Sequence, residues 1–391
     1  MPDLHLPSIR RGLRACGRAA LLPALCGCAD ALRPAPTAAP EVRPELVGEP
    51  FTKPSPYARN VWDMQRFGGR IYLGHGDSID NWGPIPIWSL DPATGGLREE
   101  YTTDDEQVDL FRVLDGELYV PGHDPRADWS LGEFYRLEPA GWMEHRTIPH
   151  GLHTFDLALR GGRLYAALGA QDVPGEETVL VSEDRGESWR VATDEVRRVY
   201  AFFDLGGELY GVPVLRNAAE PARERTLLHL EGDRFTRVAV NGATLLPGIA
   251  PDSAGRMVRP TPFRGAVVYV VARRGFDWVP VALAAARGPS DAGRVELPEP
   301  AALPYDLLVR GETLFVLSAA PAAGGGYAVE VDATDDLVRW RKVLRFRSPT
   351  FARSFEESGG DFFFGLGCDY GAPSPASGRI LRVRRASYAA G

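Results

Sequence analysis

Seven times along this 391-residue chain, a tight turn containing Gly leads into an apolar run centred on an aromatic residue. The copies read GGRIYLG, DGELYVP, GGRLYAA, GGELYGV, GAVVYVV, GETLFVL and GGDFFFG, with anchors Tyr72, Tyr119, Tyr165, Tyr210, Tyr269, Phe315 and Phe364. The anchors are 47, 46, 45, 59, 46 and 49 residues apart. A period of roughly 40–50 residues with several short strands per unit is the signature of a β-propeller, one four-stranded blade per repeat. The expectation is therefore an all-β, seven-bladed ring over residues 59–391, a single closed unit whatever its length suggests.

The third repeat shows how a blade is written. His153–Leu159 is the inner strand, Arg163–Leu168 the second, Thr178–Ser182 the third and Trp189–Ala192 the outer one. Gly161-Gly162 and Asp184-Arg185-Gly186 supply the turns between them, since glycine accepts the positive φ of tight hairpins. The long step between Tyr210 and Tyr269 is filled by Asn241–Gly255, rich in Gly and Pro. The last repeat has no fourth strand after Arg379–Arg384. Residues 41–51 are expected to supply it from the N-terminal side, as an outermost strand that tolerates two prolines and removes a free edge.

The chain opens differently. Arg10, Arg11, Arg14 and Arg18 precede a short apolar stretch, Ala19 to Gly27, the pattern of a secretory signal. Arg10-Arg11 also faintly resembles a twin-arginine export signal. Leu25-Cys26-Gly27-Cys28 resembles the lipobox of bacterial lipoproteins. That resemblance implies cleavage after residue 27 and acylation of Cys28, with export to the periplasmic or cell-surface side of an envelope membrane. Residues 28–58, dominated by Ala, Pro and Glu, then read as a tether, and membrane lipid is the first expected partner. Only Cys28 and Cys368 would remain after cleavage, so no intramolecular disulfide is expected. The formal net charge of −8 offers no polycationic face to nucleic acid, and a monomer is expected.

Ser182-Glu183-Asp184-Arg185-Gly186-Glu187-Ser188-Trp189 resembles the Asp-box of sialidases and related propellers, with Ser182, Asp184, Gly186 and Trp189 on its defining positions. Asp335 and Trp340 repeat the Asp-to-Trp spacing in the sixth unit. The resemblance implies a hairpin device, remote from any site. Active sialidases also use an Arg-Ile-Pro motif, which this chain lacks, and a Tyr-Glu pair that no residues here match. Arg198, Arg259 and Arg353 are the candidates for an arginine triad.

Loops that follow second strands and precede first strands open on one face of a propeller. There the first repeat places His75, Asp77, Asn81 and Trp82, the second His123, Asp124 and Trp129, and the third His150 and His153. The seventh adds Asp369. Four of the six histidines beyond the signal fall on this face. Three readings stay open. His75, His123 and His153 could hold a divalent metal, Zn²⁺ or Mn²⁺, and the oxygens near Asp77 could suit Ca²⁺. His75, His123 and His153 with Asp124 could act as general acids and bases. Or the polar groups simply cap loops. A second set, Asp63, Asp109, Asp156 and Asp306, recurs nine or ten residues before the anchors, with Arg259 and Arg353 near the same place in the fifth and seventh repeats. Channel-lining ion pairs and a substrate-orienting ring are the two readings. The expected function is a lipid-anchored propeller binding a carbohydrate or peptide, with Trp82 and Trp129 stacking on it and Asp77, Asn81, His150 and Asp369 orienting it. A glycoside or metal-dependent hydrolase and a structural envelope protein are the alternatives.

Overall fold

Each of the seven aromatic anchors stands on the second strand of its own four-stranded antiparallel sheet. The computed structural model describes residues 39–126, 130–169, 178–195, 198–213, 226–239, 256–273 and 278–389. Cys28 and the export signal lie outside them, as do Trp129 and Asn241–Gly255. The seven sheets are the blades of a β-propeller, and apart from them the described residues hold only two 3₁₀ turns, Tyr57–Arg59 and Arg385–Ser387.

Blade one comprises Asp63–Phe67, Arg70–Gly74, Ile85–Leu90 and Leu97–Thr103. Blade two comprises Arg112–Leu114, Glu117–Pro121, Leu131–Glu138 and Gly141–Pro149, and blade three Thr154–Arg160, Arg163–Leu168, Val179–Ser182 and Arg190–Val191. Blades four, five and six begin at Val199, Arg256 and Leu303. Blade seven takes Ala352–Ser358, Asp361–Leu366 and Ile380–Val383 from the C-terminal part of the chain. Its outermost strand is Glu45–Gly48, antiparallel to Ile380–Val383 with Glu45 opposite Arg382. Val42 and Phe51, on either side of that strand, are buried, so this stretch belongs to the ring rather than to a free tether.

The core is divided between the blades. Each blade packs its face on the next through its own apolar cluster, so that seven such layers close the circle. Tyr72, Tyr119, Tyr165 and Tyr210 each enter the layer shared with the following blade. Phe51 joins the layer between blades seven and one, which ties the closing strand to both. Burying aromatic area at every interface is what holds blades that could not be stable alone.

The hairpin at Ser182 has the hydrogen bonds its motif implies. Gly186 N–H donates to Ser182 Oγ at 2.7 Å, Ser188 N–H to Asp184 Oδ1 at 2.9 Å, and Trp189 Nε1 to the Gly186 carbonyl at 3.1 Å. Blade six differs from expectation by one residue. Thr334 takes the place of Ser182, and Asp336, not Asp335, binds the Val338 and Arg339 amides at 3.0 and 2.7 Å. Asp335 instead accepts the Thr313 hydroxyl at 2.7 Å. The turn is counted from the hydroxyl that ends the third strand, and the following Trp340 lies one residue closer to it.

Candidate functional site

Three of the four recurring aspartates, Asp63, Asp156 and Asp306, are latches between blades. Asp63 accepts the N–H of Phe111 in blade two at 2.7 Å, Asp156 that of Phe202 in blade four at 2.7 Å, and Asp306 that of Phe355 in blade seven at 3.1 Å. Each also accepts the amide of the residue after it, at 2.8 to 2.9 Å. Their remaining charge meets arginine from other blades, either adjacent or across the channel. Arg259 reaches Asp63 at 2.8 Å and Asp306 at 3.5 Å, and Arg112 forks onto both oxygens of Asp156 at 2.7 and 2.6 Å. Burial nevertheless pushes Asp306 up to about 7, against the opposing pull of Arg259. Arg353 is not with them: it lies over the Trp62 ring at 4.3 Å and donates to the Cys368 carbonyl at 3.0 Å.

Beside these pairs lies a cavity of about 850 Å³ that draws lining residues from all seven blades and their connections. Its most concentrated chemistry is on the wall between blades two and three. His123 and His153 face each other as an isolated antiparallel bridge, their rings edge to face with centroids 5.3 Å apart. His153 Nδ1 lies against Asp124 Oδ1 in close contact. Donor atoms of His123, Asp124 and His153 all fall within 4.8 Å of one another. The backbone fixes the group: His123 N–H donates to Asp105 Oδ1 at 2.7 Å, and Asp124 N–H to the Leu152 carbonyl at 3.1 Å. From His153 an aromatic run continues through Phe155, at 5.4 Å, to Tyr200, 4.2 Å further.

Two pairs of buried carboxyl groups back this wall. Burial pushes the carboxyls of Asp105 and Glu133 up, and the neighbouring charge of Asp105 raises Glu133 further, so the pair keeps a proton. Burial, reinforced by the neighbouring Asp124, likewise raises Glu106. At Asp124 burial works in the same direction, but the hydrogen bond to His153 and the nearby imidazoles outweigh it and hold that carboxyl below its usual range. The proton of the Glu106–Asp124 pair therefore sits on Glu106, and Asp124 is the carboxylate.

His75 does not join His123 and His153. The residue of blade one equivalent to His123 is Gly76, four past its anchor, whose backbone bridges to Gln107 as His123 bridges to His153. His75 stands one residue earlier. In an extended backbone that single step turns the side chain to the other side. Its ring packs on Phe51 at 4.1 Å, its Nδ1 meets the Ala58 carbonyl at 3.2 Å, and complete burial depresses its pKa to about 4. His150 is exposed on a turn with φ +53°. Asp77 is a loop cap, its Oδ1 accepting the Ile79 and Asp80 amides at 2.7 and 3.1 Å. Asn81 is exposed and Trp82 half-buried, and neither lines the cavity. Asp369 pairs with Arg353 at 3.7 Å.

Glu106, Gln107, Phe155, Tyr200 and Trp278 line the cavity without having been singled out in the sequence. A signal for two of them existed. Gln107 stands twelve residues before its anchor, as His153 does, and Glu106 thirteen. The run Asp104-Asp105-Glu106-Gln107 reads as a solvated loop, yet Asp105, Glu106 and Gln107 are buried between blades one and two.

Fold and cavity together define a β-propeller with a charged, aromatic-walled central site. No family model matches the chain, and neither does any curated protein.

Proposed function

We propose that this is an exported, lipid-anchored propeller that binds a neutral carbohydrate or a peptide in its central cavity. The observation that carries the reading is the cavity's make-up. Phe155, Tyr200 and Trp278 offer apolar faces beside groups that can hydrogen-bond to hydroxyls or amides. Its lining holds the carboxyl groups of Asp63, Glu106, Asp109, Asp124, Asp156, Asp306 and Glu356 against the guanidinium groups of Arg112, Arg198, Arg259 and Arg310. Even with Glu106 and Asp306 protonated, five carboxylates face four arginines, which leaves no positive excess for an anionic sugar. Anchoring rests on the arginine-rich start and on Leu25-Cys26-Gly27-Cys28. Mass spectrometry of membrane-extracted protein should find an acylated peptide beginning at Cys28.

The test is a glycan and peptide array probed with the purified chain, followed by calorimetry on Tyr200→Ala and Arg198→Ala. Binding that weakens about tenfold in either variant, with melting temperature preserved, supports the reading. Binding only to anionic glycans, or binding indifferent to both substitutions, sinks it. The pairing of Asp124 with His153 favours a second reading, a hydrolase in which this cluster activates water. Turnover of an arrayed ligand, abolished by His153→Gln, separates it from simple binding.

A further inference from the structure

We propose that His123, Asp124 and His153, backed by Glu106, form a binding site for one divalent transition-metal ion of the Zn²⁺ or Mn²⁺ type. It is independent of which organic ligand the cavity takes.

Three observations converge. The donors come from separate loops of blades two and three yet lie within 4.8 Å of one another. Ligand bonds of about 2.1 Å in tetrahedral geometry place donors roughly 3.4 Å apart, so a small side-chain adjustment, outward at the close Asp124–His153 contact and inward at the wider gaps, fits this set around an ion. Asp124 Oδ1 and His153 Nδ1 already meet in close contact on the cavity wall. A carboxylate oxygen and an imidazole nitrogen are the donor types such an ion takes, and a modest separation of the two side chains lets it replace their direct contact. Finally, Glu106 is almost wholly buried and lines the cavity, and its Oε1 has no hydrogen-bond partner. An unsatisfied buried oxygen is costly, and ligation removes that cost, with the carboxyl proton of Glu106 released to solvent as the ion binds.

Two imidazoles with carboxylate oxygen suit Zn²⁺ or Mn²⁺ better than Ca²⁺, which takes oxygen ligands alone. The outer contacts are also in place. Gln107 Nε2 lies 2.7 Å from His123 Nδ1. With its amide turned, the carbonyl oxygen of Gln107 accepts from an Nδ1–H and leaves Nε2 of His123 to the ion. Because the cluster lines the cavity, a fifth coordination position is open to water or to an atom of the ligand.

The experiment uses the full chain, stripped with a chelator and titrated calorimetrically with Zn²⁺ alone, no organic ligand being present. One equivalent is expected. His123→Gln, His153→Gln and Asp124→Asn should each weaken it about tenfold or more, and Gln107→Leu, through positioning, about tenfold. His150→Gln, on the same face but outside the cluster, should leave it unchanged. Ring-nitrogen resonances of His123 and His153 in the wild-type chain should move on Zn²⁺ addition while those of His75, His145 and His229 stay, a readout that needs no variant to fold. Absence of binding, or an effect of His150→Gln as large as that of His153→Gln, overturns the site, and so does movement of other rings in place of these two. A protein that takes up no Zn²⁺ yet still binds its array ligand would sink this inference and leave the proposed function standing.

Discussion

Arg259 of blade five meets Asp63 of blade one at 2.8 Å, across the channel and 196 residues away in the chain. Asp63 also accepts the Phe111 amide of blade two, and Arg259 also faces Asp306 of blade six. One guanidinium thus neutralises the latches of two blade interfaces at once. Removing it strips both buried carboxyl groups of their nearest counter-charge. Arg259→Ala should cost roughly 3–5 kcal/mol, the usual penalty for orphaning buried charge. Urea denaturation of wild type and variant checks this. A loss below about 1 kcal/mol would show the pair to be no stronger than a solvated surface bridge.

Closure by a strand from the other end of the sequence makes a second expectation. Phe51 fills the layer between blades seven and one together with Val61, Met64, Ile71, Phe363 and Ile380. Phe51→Ala should destabilise by about 3–5 kcal/mol, as for other large core truncations. A chain beginning after residue 52 should in addition aggregate, because the strand Ile380–Val383 becomes a free edge. A truncated protein that melts like wild type and stays monodisperse by light scattering would refute the closure.

The Asp105–Glu133 pair gives a pH dependence with a definite sign. Burial raises both carboxyls, so the folded chain keeps a proton that the unfolded chain releases once pH exceeds the ordinary carboxylate range. Where the folded state binds more protons, stability falls as pH rises, through the raised values of the pair. Glu133→Gln replaces that proton by a permanent amide donor. The variant should melt higher than wild type at about pH 8 and lose this advantage at about pH 3, where wild type is protonated in both states. Equal shifts at the two pH values in thermal melts would contradict the shared proton.

The hairpin of blade three should matter to stability and not to the site. Ser182 is buried and its Oγ receives the Gly186 amide. Ser182→Ala should cost about 1–2 kcal/mol, the penalty for a buried donor left without its acceptor. Zn²⁺ affinity and ligand affinity should not change. A variant with native stability and impaired binding would place the motif in the site after all.

The blade number, the second-strand anchors and the closing strand were all legible in the sequence, because each follows from local rules. Turn residues, strand alternation and a fixed period act over a few residues and repeat. Half of the histidine cluster was legible for the same reason: His123, four residues after its anchor, and His153, twelve before its own, fall on loops that open on one face. His75 was misjoined by one residue, since alternation decides the direction of a side chain while proximity in sequence does not. Glu106 was hidden in an acidic run that looks solvated, and became a buried wall only when blades one and two closed over it. The pairing of Asp63 with Arg259, and the cavity itself, have no local signature. They exist because a ring brings first, fifth and sixth blades around one axis, where burial removes the water that would otherwise screen each charge from the others.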